Sequence, residues 1–117
     1  MAEEYDITIE QGATFQLQIT WKDRDNIAID LTGFTARMQI RRRVGADEVL
    51  AEATTENGYI TLGGNEGTIE ISIPASITKE FDFKRGVYDL ELESSGGIVT
   101  RLIQGCVYVS REVTRDD

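Results

Sequence analysis

Three acidic residues on one extended segment come first, because their types and spacing match a known reaction. Asp89, Glu91 and Glu93 alternate with Tyr88, Leu90 and Leu92, and residues two apart on a strand project from the same face. A carboxylate pair placed that way can divide acid and base roles at a glycosidic bond. The strict alternation with apolar neighbours instead predicts a solvated outer face above a buried inner one. The chain contains no histidine, which excludes imidazole acid–base catalysis and histidine metal ligation. Cys106 is the only cysteine. It has no histidine base to activate it and cannot form an internal disulfide, and its apolar flank predicts a small core residue.

The remaining polar clusters read as turns. Asp23, Asp25 and Asn26 could offer oxygens to calcium, but the downstream glycine and the bidentate glutamate of a calcium-binding loop are missing. Gly63-Gly64-Asn65-Glu66-Gly67 lacks both the lysine and the following helix of a phosphate cradle, so it reads as a hairpin connection. No catalytic, cofactor-binding or metal-ligating residue is therefore expected. Arg41-Arg42-Arg43 is the one concentrated basic site. In an acidic chain it is the natural contact for an acidic patch on a neighbouring subunit, against the plainer reading of a solvated loop. The polar terminus Arg115-Asp116-Asp117 is the second candidate interface, and both ends, about residues 1–5 and 114–117, are expected to stay unordered until a partner orders them.

The elements that must position these residues are strands. Thr14 to Trp21 alternates without error, with Phe15, Leu17, Ile19 and Trp21 on one face. Trp21 is expected in the core. Phe34 to Ile40 repeats the pattern and is expected to begin a second sheet, with Phe34, Ala36, Met38 and Ile40 inward and Thr35, Arg37, Gln39 and Arg41 outward. Arg41 to Asp47 has no period and reads as a loop, followed by a short strand over Val49 to Thr54. Tyr59 to Leu62 and Thr68 to Ile73 form a hairpin, with Ile69, Ile71 and Ile73 facing the core. Pro74, the only proline, ends that strand and opens one short helical turn near residues 74–79. Gly86-Val87-Tyr88 has a spacing that resembles the tyrosine corner of sandwich domains, in which a phenol bonds backbone across a sheet-crossing connection. In the last strand Ile103-Gln104-Gly105-Cys106-Val107 breaks the period of two, and Gly105 is expected to mark a bulge. Counting Ile7 to Ile9, about eight or nine strands emerge. The expected fold is all-β, a single antiparallel β-sandwich of Ig-like type occupying residues 1–117.

Composition narrows the partners. At 117 residues the chain can bury roughly two-thirds of its unfolded surface, enough for one independent core. Twelve basic against 21 acidic residues give a net charge of -9, which opposes binding to nucleic acid or to an anionic membrane surface. The opening Met-Ala-Glu-Glu-Tyr has neither a basic region nor an apolar stretch, and no segment approaches the roughly 20 apolar residues of a membrane span. The chain is expected to be intracellular at synthesis.

Two blocks resemble a known family. Gly86 to Glu93, Gly97 to Gly105, Val107 to Ser110 and Glu112 to Arg115 form one block, and Gln11 to Phe15, Trp21 to Asp23 and Asp30 to Met38 form the other. Together they are similar to small tailed-bacteriophage virion structural proteins, and in particular to the N-terminal β-sandwich domain of phage tail and baseplate upper proteins. The resemblance implies an Ig-like sandwich that assembles in the virion at the tail, baseplate, neck or fibre-attachment region. Its partners would be other virion proteins and further copies of itself in a symmetric array, with no catalytic residues to carry over. Longer relatives continue into an extension while this sequence stops at Asp117, so contact with the host is not expected. A capsid decoration protein is the nearest alternative. A carbohydrate-binding module, with Trp21, Tyr59 or Tyr108 as its platform, is the next, and an acidic-site hydrolase the last.

Overall fold

Alternating sequences become strands here because each offers one apolar face to a shared interior. A computed structural model describes residues 2–114. Nine strands follow in chain order: β1 (Glu3–Glu4), β2 (Ile7–Glu10), β3 (Phe15–Thr20), β4 (Thr35–Arg41), β5 (Ala51–Thr54), β6 (Ile60–Leu62), β7 (Thr68–Ile73), β8 (Arg85–Glu93) and β9 (Val99–Ser110). A 3-10 turn, Gly64–Glu66, joins β6 to β7, and one helical turn, α1 (Ala75–Thr78), follows Pro74. The fold is all-β.

Two sheets divide the strands. One has the order β1-β9-β8-β4-β5, with β2 also on β9, and the other the order β3-β7-β6. Ile7, Ile9, Met38, Ile40, Leu90, Leu92 and Val107 from the first sheet and Ile60, Ile69, Ile71 and Ile73 from the second belong to one buried cluster. The inward residues of β4 and β7 are those that the alternation predicts. Trp21 is only half-buried and meets the Phe34 ring edge-on, with centroids 6.2 Å apart.

Purely antiparallel pairing does not hold. β1 and β2 both run parallel to β9, in one unbroken register from Glu3 opposite Ile103 to Glu10 opposite Ser110. Alternation specifies which face is buried but not strand direction, so the sequence carries no signal for this. Glu3 and Glu4, assigned above to an unordered end, form β1 at this edge. The bulge in β9 is also displaced from its expected position. Leu90 pairs with Ile103 and Glu91 with Arg101, which leaves Leu102 as the extra residue.

Gly105 answers a different need. A Cβ built there would lie 2.4 Å from the Tyr5 carbonyl oxygen and 2.8 Å from Asp6 Oδ1, so only glycine admits the incoming chain. The Tyr5 N–H donates to Gln104 O. In a regular parallel ladder the Tyr5 carbonyl would then accept from Cys106 N–H. Asp6 Oδ1 accepts that hydrogen instead, at 2.9 Å, and the Tyr5 carbonyl accepts from the Tyr88 hydroxyl. This is not the tyrosine corner that the Gly86-Val87-Tyr88 spacing suggested: the phenol bonds backbone, but it reaches across Gly105 within one sheet to a residue 83 positions upstream rather than over a connection between sheets. Burial holds the Tyr88 phenol well above its ordinary value, so it remains a donor at any physiological pH.

A second set of bonds holds the turn between β2 and β3. Gln11 Nε2 donates to Phe81 O and Gln11 Oε1 accepts from Glu112 N–H, both at 2.8 Å. Thr78, fully buried on α1, accepts from Gly12 N–H at 3.1 Å and donates to Ala13 O at 2.8 Å. Thr78→Val keeps the shape and removes both bonds, leaving two backbone groups unpaired. We expect it to cost about 1–3 kcal/mol, read from the urea midpoint, with Thr78→Ser closer to the parent. Equal losses in the two variants would contradict the hydroxyl's role.

Candidate functional site

The outer face of the larger sheet is where the chemistry-bearing residues of β4, β8 and β9 meet. Strand parity sends Tyr88, Leu90 and Leu92 inward and Asp89, Glu91 and Glu93 outward, so the three carboxylates share one face as expected. Register then places their neighbours. Arg37 lies opposite Glu91, which in turn lies opposite Arg101. Glu52, Gln39, Asp89 and Gln104 form the adjoining row, and Glu4 on β1 extends it beside Gln104. One row thus sets a carboxylate between two guanidiniums, and the next separates its carboxylates by amides. Both arrangements reduce like-charge repulsion across a sheet.

Side-chain bonds follow these rows. Arg37 pairs with Glu91 at 3.0 Å and Arg101 Nε with Asp89 at 3.5 Å. Gln39 Nε2 donates to Glu52 at 2.7 Å, and Gln104 Nε2 to Glu4 at 2.9 Å. The pairs lie at the surface, so each contributes about 0–1 kcal/mol. Between them is an open groove of about 620 Å³ whose lining includes Arg37, Arg41, Asp89, Arg101 and Cys106. Among the described residues no three cysteine, aspartate or glutamate side chains converge to hold a metal ion. No helix there is long and apolar enough to cross a membrane.

The three consecutive arginines part company. Arg41 closes β4, and its guanidinium donates to Ala46 O at 2.7 Å, Asp47 O at 2.9 Å and Gln39 Oε1 at 2.9 Å. It fastens the following loop to the sheet and is engaged within the chain. Arg42 and Arg43 are exposed in that loop and form no ion pair among the described residues. Arg115, Asp116 and Asp117 lie outside the described residues.

Cys106 is not a core residue. Val107 and Val109 point inward, so Cys106 and Tyr108 face outward, and the thiol sulfur lies 3.8 Å from an Arg85 nitrogen. Arg85 also stands over the Tyr108 ring, 5.7 Å from its centroid, a cation–π distance that covers one ring face. The parity of the two valines was the available signal for this placement. Sequence reasoning also missed Asp6 and Gln11, whose roles depend on partners about 100 and 70 residues away.

Asp89 on this face has a perturbed proton equilibrium. Burial first, and the Glu91 charge second, hold its carboxyl above the usual value, against the opposing pull of Arg101, Arg37 and Arg41. The folded chain then retains a proton that the unfolded chain releases, so this group favours folding most in acid. That advantage fades as pH rises through the ordinary carboxylate value to the raised one. Asp89→Asn is accordingly expected to leave stability at pH 7 unchanged or raised by less than about 1 kcal/mol, since the site is partly solvated. The gain should vanish near the acid limit. Urea unfolding at both pH values checks this, and a clear loss at neutral pH would show the Arg101 pair to dominate.

No family model matches the chain, and no curated protein matches it significantly.

Proposed function

We propose that this chain is a non-catalytic structural component of a bacteriophage virion, an adaptor of the tail, baseplate or neck built on an Ig-like β-sandwich. The observation that carries the reading is the work done by the residues on which the resemblance rests. Gln11 bridges Phe81 and Glu112, Tyr88 bonds the Tyr5 carbonyl, Gly105 admits β1 and β2, and Leu31 is buried beside the Asp30–Thr32 turn. Each holds backbone in place. Such residues fit a subunit whose task is to keep a rigid shape among neighbours. Two sheets sharing one core support the sandwich, and the exposed Arg42 and Arg43 remain suited to an acidic neighbour.

Quantitative mass spectrometry of purified particles from the source tests the proposal, with the major capsid subunit as the stoichiometric reference. About three to twelve copies per particle are expected, the range set by tail, baseplate and neck symmetry. Hundreds of copies would make it a head decoration protein. Absence from intact particles would overturn the virion reading and bring the sugar-binding module forward.

A further inference from the structure

An open strand edge presents unpaired backbone donors and acceptors, and proteins ordinarily blunt such edges with charge, proline, bulges or covering side chains. Most of the exposed edges here are treated this way. The β1 and β2 edge carries Glu3, Glu4, Asp6 and Glu10. Asn57 folds over β5, donating to Glu52 O at 3.0 Å and accepting from Thr54 N–H at 2.9 Å. β6 is three residues long.

The edge formed by β3 has none of these devices. It pairs with β7 on one side only. From Gln11 to Trp21 there is no charged residue and no proline, in a chain whose net charge is -9. Hydrogen-bond parity identifies the groups that face outward. Trp21 N–H donates to Gly67 O at 2.8 Å, continuing the β3–β7 register by one pair. By the two-residue alternation of an antiparallel ladder, Phe15, Leu17 and Ile19 bond to β7, while Gln16, Gln18 and Thr20 turn their N–H and C=O groups to the open side. The opposite edge of β7 agrees, since Ser72 N–H donates to Tyr59 O and Thr68 O accepts from Gly63 N–H. The Gln16, Gln18 and Thr20 side chains are exposed, and Phe15, Leu17 and Ile19 are half-buried.

The sequence of this edge is nearly its own reverse. Thr14-Phe15-Gln16-Leu17-Gln18-Ile19-Thr20 reads from either end as polar, apolar, glutamine, leucine, glutamine, apolar, polar. We infer that β3 is an interaction edge whose partner is β3 of a second copy of this chain, paired antiparallel about a two-fold axis at Leu17. In that register Gln16 lies opposite Gln18 of the second copy, Phe15 opposite its Ile19, and Thr14 opposite its Thr20. Both members of the Gln16–Gln18 pair are outward-facing, as a hydrogen-bonded pair requires, and Leu17 meets Leu17 at the non-bonded position. Like side chains then stand together on both faces, and the two three-stranded sheets become one of six strands. A two-fold contact is self-complementary by construction, so a palindromic edge fits a second copy better than an unrelated strand. The inference holds whether or not the chain belongs to a particle.

Sedimentation equilibrium of the full chain, at concentrations up to about 1 mM where weak contacts register, tests it with two charge variants. Q16K/Q18K sets lysine opposite lysine twice across the axis and is expected to weaken the dimer by about tenfold or more. It also reduces the net charge from -9 to -7, which by overall repulsion alone would strengthen association, so a loss isolates the local contact. Q16E/Q18K sets glutamate opposite lysine in this register and is expected to retain the dimer. Both side chains are exposed, and unchanged circular dichroism confirms that the variants fold. A parent chain that stays monomeric throughout, or a dimer of equal strength in Q16K/Q18K, overturns the inference. A dimer lost equally in both variants overturns the register.

Discussion

Gly105→Val should detach the N-terminal edge of the larger sheet and cost about 3–5 kcal/mol, the upper end of single-residue effects. The reason is spatial rather than conformational. The first added carbon would fall 2.4 Å from the Tyr5 carbonyl oxygen and 2.8 Å from the Tyr5 carbonyl carbon, and backbone on both sides cannot give way cheaply. Separation of the chains would break Tyr5 N–H to Gln104 O, Cys106 N–H to Asp6 Oδ1, and the Tyr88 hydroxyl bond to Tyr5. The Tyr88 hydroxyl, on a buried residue, would be left without a partner, itself a penalty of about 1–3 kcal/mol. Ile7 and Ile9, buried in the core, would lose the strand pairing that delivers them. Gly96→Ala is the control, because a carbon added there meets only Ser94 Oγ at 3.8 Å. Amide hydrogen exchange separates the effect from general unfolding: Ile7, Ile9 and Cys106 should lose protection in Gly105→Val while the β3–β7 ladder keeps it. Protection at Ile7 and Ile9 equal to that of the parent would rule out the close approach as the role of this glycine.

That edge also marks the limit of what the sequence discloses. β3, β4, β7 and β8 were legible because each alternates apolar and polar residues against a single buried face, and a period of two is visible in one chain. β1 is two glutamates. Nothing in their chemistry calls for a strand, and only the vacant side of β9 makes them one. The direction of β1 and β2 was equally hidden, because parallel and antiparallel strands bury the same alternate residues. At Gly105 the broken period was a true signal with two physical causes, a bulge and a close backbone approach. The bulge fell at Leu102 and the approach at the glycine. Arg41-Arg42-Arg43 looked like a unit because the residues are identical, yet strand phase assigns Arg41 to the sheet and releases the other two to the loop. The charged rows across β4, β8 and β9 required the register, which depends on strand order and on the Leu102 bulge.

Leu90→Ala and Ile71→Ala should each cost about 2–5 kcal/mol, the range for emptying a buried aliphatic site. Leu90 is fully buried at the middle of β8, between Met38 on β4 and Ile103 on β9. Ile71 is fully buried on β7, the central strand of the other sheet, between Leu17 on β3 and Ile60 on β6. The two residues lie on different sheets but within one buried cluster, and that shared interior determines the form of the result. If both sheets depend on it, each variant lowers a single unfolding transition, by about 10–20 °C for a chain of this size. Far-ultraviolet circular dichroism and Trp21 fluorescence should then report the same midpoint in each variant, as two-state unfolding requires. Trp21 adjoins the smaller sheet through its bond to Gly67, so its fluorescence follows that sheet most closely. Two separable sheets would behave otherwise. Ile71→Ala would lower the fluorescence midpoint alone, Leu90→Ala would leave it in place, and the two probes would diverge. Coincident midpoints in both variants would establish that the clasp at Thr78 and Gln11, the N-terminal edge at Gly105 and the charged outer face all rest on one cooperative core.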